Sequence, residues 1–268
     1  MKKFILNADD LAKDVSHNSA ILEAYEHGLL KSASIMTNME SYDDALNRVV
    51  KNCPNMSIGV HLNLIEGKSI LSNLDMLTDN EKNFNNSYVT LLLKSYKAKF
   101  LAQVEDEFRA QIERAKSDGI KITHLDSHVH THSIPNIFKI VARLANEYNI
   151  SQVRTQEEVP YFIQNRSYQA INFIKVMLLN SFTFINRFTA KKYNLKTNDY
   201  LIGVSYTGDM DSATVLEGLK KVDNLVGSEN IVEALIHPTL ENKEFELTKD
   251  SELKNHIECM NYVISNYQ

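Results

Sequence analysis

Apolar and polar positions alternate most regularly at 57–64, where Ile58, Val60, Leu62 and Leu64 interleave with Gly59, His61 and Asn63. That two-residue period is the signature of a strand. The same reading predicts strands at 3–7, 32–38, 120–125, 152–155, 201–206 and 231–237. Between them the period lengthens to that of a helix. Residues 18–29 align Ile21, Ala24, Tyr25, Gly28 and Leu29, and 100–117 turn Leu101, Val104, Phe108, Ile112 and Ala115 to one side until Asp118-Gly119 stops the run. Pro135 opens another helix carrying Ile137, Ile140, Val141, Leu144 and Tyr148, and shorter helical patterns occupy 42–51, 213–222 and 253–262.

Two stretches break this rhythm. Asn and Ser crowd positions 80–87 within 66–98, and a second irregular region covers 157–198; both read as insertions or lids. Residues 170–188 are the most apolar in the chain, but Lys175, Asn180, Asn186 and Arg187 interrupt them. A membrane span needs roughly 20 mostly apolar residues, so a buried helix is expected there. Strands alternating with helices imply a parallel sheet, and their number favours a barrel of the TIM type over an open sheet. The expected architecture is α/β, one domain over 1–268 with two insertions.

Composition adds mainly exclusions. The chain has 268 residues, 43% hydrophobic and 24% charged, ordinary values for a globular protein with a sizeable core. A net charge of −5 without any Lys/Arg run leaves no footprint for nucleic acid. Cys53 and Cys259 stand far apart, so neither a disulfide framework nor a cysteine zinc site is implied. The N-terminus lacks the apolar core of a signal peptide, which makes a cytoplasmic protein without a membrane partner the expectation. Base rates make a homodimer plausible.

Candidate chemistry concentrates at 124–132, His-Leu-Asp-Ser-His-Val-His-Thr-His, where four of the nine histidines fall within nine residues beside Asp126. The cluster sits where a strand ends and a loop leads into a helix, a reasonable place for a metal; the bland alternative is a polar loop facing water. Asp9 and Asp10 end the first strand, His61 lies towards the end of the third, and His237 ends the last. Each has an ordinary reading: a turn or helix cap for the aspartates, a satisfied core or outward-facing histidine for His61, a strand-end residue for His237 before Pro238. In a parallel barrel, however, all carboxyl ends open on one face. Asp or His from four strands would therefore meet at one rim.

One carboxylate and two neutral imidazoles form a three-ligand site with positions left open. A second carboxylate can serve beside it as base and an opposite histidine as acid. Asp9 and Asp10 are adjacent, so strand geometry points their side chains apart, which suits a division of labour.

These residues resemble the YdjC-like carbohydrate deacetylases, a family that includes chitooligosaccharide deacetylases. The resemblance is carried by Asn7-Ala8-Asp9-Asp10, by Asn18-Ser19-Ala20-Ile21 with Gly28, by Gly59-Val60-His61-Leu62, and by His124 to His130. Val153-Arg154 and Ala234-Leu235-Ile236-His237-Pro238 look like its later motifs. It implies a distorted β/α barrel that removes acetyl groups from amino sugars with a divalent metal, magnesium by resemblance and zinc by donor type. Carried over position by position, Asp10, His61 and His128 would hold the metal. Asp9 would be the base and His237 the acid, with His124, Asp126, His130 and Arg154 as outer or substrate-side groups. The family commonly has Phe-Gly after its paired aspartates; Leu11-Ala12 stands here, which puts the shape of the first loop in question.

The same ligands would serve a phosphoesterase or a deacylase of another amide, although Arg154 alone supplies a cation near the rim. A sugar-binding protein without catalysis is a further alternative, opposed by the spare carboxylate. Tyr88, Tyr96, Tyr161, Phe162, Tyr168 and Tyr206 in and near the insertions are available to stack on sugar rings, or to pack.

Overall fold

The computed structural model describes residues 1–163, 170–225, 227 and 229–267. Its elements alternate as the patterning requires: β1 (Lys2–Leu11), α1 (Val15–Glu26), β2 (Ser32–Ile35), α2 (Tyr42–Ala45, extended by a wider turn through Val50) and β3 (Ser57–Leu62). There follow α3 (Tyr88–Lys94), α4 (Ala98–Ser117), β4 (Ile122–Ser127), α5 (Pro135–Glu147), β5 (Gln152–Val153), α6 (Ala170–Lys192) and β6 (Tyr200–Ile202). The chain ends through α7 (Ser212–Asp223), β7 (Ile231–Ile236), α8 (Lys243–Glu246), α9 (Ser251–Cys259) and β8 (Tyr262–Ser265).

The strands form one parallel sheet in the order β5-β4-β3-β2-β1-β7-β6. β1 is its centre. One edge pairs with β7 from Lys3 to Ala8; the other is shared, with β8 against Lys2 to Ile5 and β2 from Asn7 onward. Phe4, Ile5, Leu6 and Ala8 on both faces of β1 are buried, as expected for a strand covered on each side. The sheet curls with helices outside it, and its two short outer strands are joined by sparse contacts. Val153 N donates to Lys196 O at 3.0 Å and Leu201 N to Glu157 O at 2.7 Å. This is the distorted barrel that the resemblance implied.

The helix stop at Asp118-Gly119 has a direct cause: Gly119 has φ +82°, a left-handed conformation that closes α4 at little cost to a residue without Cβ. The stretch at 66–98 lies outside the strand–helix rhythm but is packed down. Glu107 of α4 accepts from the N–H of Ile70 and Leu71 at 3.0 and 3.1 Å, and Leu74, Leu77 and Leu91 are buried.

Two local expectations are corrected. The first strand does not end at the aspartates; it runs to Leu11 through an irregularity between Ala8 and Leu11, with Asp10 at φ 63°. The helix at 170–192 exists, in a region read in part as irregular, but it is not a buried helix, since Ile174, Phe184 and Phe188 are more than 60% exposed. Among the described residues no helix is long and apolar enough to cross a membrane.

Candidate active site

The bulge in β1 decides where its carboxylates point. Simple alternation would send Asp9 and Asp10 to opposite faces. The left-handed Asp10 breaks the period, and both side chains turn into the barrel, each 2% exposed. The expected divergence is therefore replaced by convergence on one site, with different partners for each group.

Asp9 faces a buried cation. Arg154, fully buried after β5, donates from its two terminal nitrogens to Asp9 Oδ2 and Oδ1, both at 2.7 Å. The same guanidinium reaches Glu233 Oε1 from Nε at 2.8 Å and lies 2.9 Å from Asp126 Oδ2. Asn7 Nδ2 donates to Asp9 Oδ1 at 2.8 Å, and Tyr267 OH donates to Glu233. Burial alone would raise the Asp9 pKa, but the charges of Arg154 and His61 outweigh it and hold Asp9 low. Burial prevails at Glu233, whose pKa is raised although Arg154 and Tyr267 bond to it.

Asp10 faces imidazoles. His128 Nδ1 lies 2.9 Å and His61 Nε2 3.4 Å from Asp10 Oδ1. His61, expected to be either outward-facing or a ligand, is 1% exposed and turned inward, its Nδ1 donating to Asp126 Oδ1 at 2.8 Å. Burial disfavours its charge, yet Asp126 and Asp9 push its pKa up to about 10. His128 Nε2 is 3.1 Å from Glu66 Oε2, and Lys13 Nζ bridges Glu66 and Asp10 at 3.0 and 3.2 Å. These bonds bring Glu66 down to about 2, the His128 contact contributing most.

The histidine-rich stretch divides by depth. His124 lies below the rim, stacked on Tyr267 with ring centres 4.0 Å apart and its Nε2 3.0 Å from Ser34 Oγ. Ser34 in turn donates to Asp126 Oδ2 at 2.7 Å, so His124 touches the site through a hydroxyl. Burial lowers its pKa to about 4 and keeps it neutral. This also explains Gly59: a Cβ there would fall 2.4 Å from the His124 ring. His128 opens a tight turn, His128–Ser133, in which Val129 and His130 are both left-handed, at φ 52° and 55°. His130 Nδ1 is buried with no hydrogen-bond partner, and burial with the Arg154 charge lowers its pKa to about 3. His132 is structural, 3.1 Å from Arg154 O.

His237 follows β7. Glu244 accepts from its backbone N–H, and Glu244 Oε2 is 3.5 Å from its Nδ1. Burial opposes its protonation, but Glu244 and the charges of Asp10 and Asp9 raise its pKa. Of the nine expected residues, Asp9, Asp10, His61, Asp126, His128 and Arg154 are joined by hydrogen bonds or ion pairs, His237 and His130 lie close enough to feel their charges, and His124 lies deeper. Among the aromatics, Tyr161 and Tyr206 pack together with centres 5.2 Å apart, Tyr88 OH bonds Ser133 Oγ at 2.8 Å, and Tyr96 and Phe162 are exposed; Tyr168 lies outside the described residues.

The sequence reading missed Lys13, Glu66, Glu233, Glu244 and Tyr267. Glu233 carried a signal, a lone charge inside the apolar strand Ile231–Ile236. Glu66 stood at the start of a stretch read as insertion, where a carboxylate has no distinguishing pattern.

Among the described residues, two groups of side chains have metal-binding spacing, their ligand atoms within 4.8 Å of one another: Asp10, His61 and His128, and Asp9, His61 and Asp126. The second is already satisfied by a cation, because Arg154 bonds Asp9 and sits against Asp126. The first fits a metal better. Its donors are one carboxylate and two imidazoles, and Asp126 orients the far nitrogen of His61 as outer partners of metal ligands do.

A family model described as YdjC-like protein matches residues 3–264. A carbohydrate deacetylase of Clostridium beijerinckii is 39% identical over 151 residues, 55% of this chain and 58% of that protein. One of Brevibacillus brevis is 36% identical over 148 residues, 55% of this chain and 57% of the relative. The matched stretch thus spans under two thirds of these relatives' length. A crystal structure from Enterococcus faecalis V583, named for cellobiose-phosphate cleavage, superposes with a TM-score of 0.77 at 22% identity, covering 99% of this chain and 97% of the other. That likeness supports the fold. With the family model spanning nearly every residue from the first strand to the last, this chain belongs to the YdjC-like protein family.

Proposed function

We propose that this protein is a metal-dependent hydrolase that removes N-acetyl groups from acetylated carbohydrates such as chitooligosaccharides. The observation that carries the reading is the split between two adjacent aspartates: Asp10 within reach of two imidazoles, Asp9 held ionised by a guanidinium. The relatives named as carbohydrate deacetylases supply the substrate class.

Asp10, His61 and His128 would hold the ion, zinc by donor type or magnesium by resemblance. When bound, such an ion lowers the pKa of water and polarises an amide carbonyl. The protein's own groups do the rest. Arg154 and Asn7 fix the Asp9 carboxylate, and Oδ2, which accepts from Arg154 where Oδ1 accepts from both Arg154 and Asn7, keeps a lone pair to take a proton from attacking water. His237, whose pKa Glu244 raises, gives a proton to the departing amine. His130, whose buried Nδ1 has no hydrogen-bond partner, would bond a sugar or acetamide group that reached it.

A phosphoester substrate fits less well, because Lys13 is engaged by Asp10 and Glu66 and Arg154 is enclosed by carboxylates. The test is acetate release from short acetylated chitooligosaccharides by purified protein, with and without chelator. Release that stops with chelator and returns with added divalent ion is expected. Metal binding without acetate release from any sugar would remove the substrate assignment.

A further inference from the structure

The interior of the barrel beneath the site is polar. Parallel barrels usually fill this space with branched apolar side chains. Here Asn7, Ser32, Ser34, Ser57, His124 and Glu233 are each 0% exposed. Asn7, Ser32 and Ser57 stand in register across β1, β2 and β3. Tyr267, just after β8, is inserted among these groups and is 3% exposed. Its N–H donates to Ser57 Oγ at 3.3 Å, and its carbonyl accepts from Gln152 Nε2 at 3.0 Å. Ser57 and Gln152 open β3 and β5, so Tyr267 enters from the end of the barrel opposite the site.

The Tyr267 side chain meets two chains of polar contacts, one leading to each half of the site. Its hydroxyl donates to Glu233 Oε2, while Glu233 Oε1 accepts from Arg154, whose terminal nitrogens hold Asp9. Its ring stacks on His124 with centres 4.0 Å apart, and His124 Nε2 lies 3.0 Å from Ser34 Oγ. Ser34 donates to Asp126 Oδ2, and Asp126 Oδ1 accepts from His61 Nδ1. Burial and the Glu233 charge keep the Tyr267 pKa well above that of an ordinary phenol, so the hydroxyl stays a donor. A residue that only plugged the barrel would need the ring but no hydroxyl. Tyr267 also lies beyond the residues 3–264 that the family model matches.

On the reading of the site as a metal-dependent hydrolase, we propose that Tyr267 is a positioning residue for both of its halves, acting on Asp9 through the hydroxyl and on His61 through the ring. The Arg154 guanidinium is shared by three carboxylates, so its place depends on how each is otherwise satisfied. Without the Tyr267 hydroxyl, Glu233 Oε2 is a buried carboxylate oxygen that has lost its donor, and such groups are costly. The guanidinium then shifts towards Glu233, and its paired bonds to Asp9 loosen. The ring acts differently. Flat against His124, it fixes the imidazole that meets Ser34, and with it the Asp126 carboxylate that orients His61.

The test compares Tyr267→Phe, Tyr267→Leu and Glu233→Gln in the full chain, with far-ultraviolet circular dichroism as the fold control. Acetate release gives kcat and KM, and calorimetric titration with zinc or magnesium ions alone gives metal affinity. Tyr267→Phe keeps the ring, so kcat should fall about 10-fold at unchanged KM and metal affinity. Tyr267→Leu should in addition weaken metal binding about 10-fold. Tyr267→Phe should slow a Glu233→Gln enzyme no further, because the hydroxyl acts through that carboxylate. A folded Tyr267→Phe enzyme with parental kcat, equal metal affinity in the two Tyr267 variants, or Tyr267→Phe and Glu233→Gln effects that multiply would each overturn the proposal. Should Tyr267→Leu fail to fold, Tyr267→Phe alone and in the Glu233→Gln background decides. If the parent releases no acetate, the substrate assignment falls by itself, and the metal affinities of the two Tyr267 variants still decide the role of Tyr267.

Discussion

Asp9 and Asp10 are covalent neighbours, yet they belong to two different halves of the site. On the Asp9 side the Arg154 guanidinium binds Asp9, Glu233 and Asp126 within the barrel, and Tyr267 joins through Glu233. On the Asp10 side the partners are His61, His128, Lys13 and Glu66, which reach the rim. A guanidinium cannot give up its proton and is enclosed, so it sets a permanent charge environment. Imidazoles can lose a proton and offer a lone pair to a cation. The comparison teaches that partner chemistry, rather than the carboxylate itself, separates a fixed base from a displaceable ligand.

Substitution at the pair tests this most severely. Asp10→Ala should abolish divalent metal binding and all metal-dependent turnover, whereas Asp9→Asn should keep the metal and slow turnover by at least ~100-fold. Calorimetric metal titration beside steady-state rates separates the two. Equal loss of metal in both variants would merge the halves.

Removing the cation of the Asp9 half comes next. Arg154→Met leaves Asp9, Asp126 and Glu233 buried without their shared counter-charge, and denaturant unfolding should show a loss of about 3–5 kcal/mol. A variant as stable as the parent would mean that Arg154 does not organise that half.

A smaller effect is expected on the Asp10 side. Glu66→Gln keeps a hydrogen-bond acceptor for His128 but removes the charge, and metal affinity should fall roughly 10-fold, the low end for an outer partner of a ligating histidine. Unchanged affinity would leave Glu66 as a surface partner of Lys13.

The smallest is a shift in pH. Glu244 is the leading group that raises the His237 pKa, and an acid must be protonated to act, so activity falls as pH rises through that value. Glu244→Gln lowers the His237 pKa, and the alkaline limb of kcat/KM should move to lower pH by up to about one unit. A limb that stays in place would assign the proton to another group.

Much of this was readable in the chain. The strict alternation at 57–64 and the helical period after Pro135 survive as β3 and α5, the helix because it buries one apolar face and the strand because it is covered on both. The rim residues were legible because strand ends in a parallel barrel converge. The direction of individual side chains was not. A period of two cannot announce a bulge, so the shared inward turn of Asp9 and Asp10 was missed. The inner face of His61 was ambiguous for a related reason: both faces of β3 are buried, and parity alone does not name the one that lines the site. Helix α6 shows a third limit, since apolar content predicts burial but does not say against what.

Local pattern by itself determined the alternation of elements, the α/β class and the candidate residues, because periodicity and turn chemistry act between near neighbours. Only the tertiary structure decided that Arg154, 145 positions from Asp9, would be its partner, and that Glu66 would stand beside His128. It also decided that α6 would leave Ile174, Phe184 and Phe188 exposed. Those outcomes depend on charges and hydrogen-bonding groups brought together across the sheet, and such distances are set by the closing of the barrel rather than by spacing along the chain.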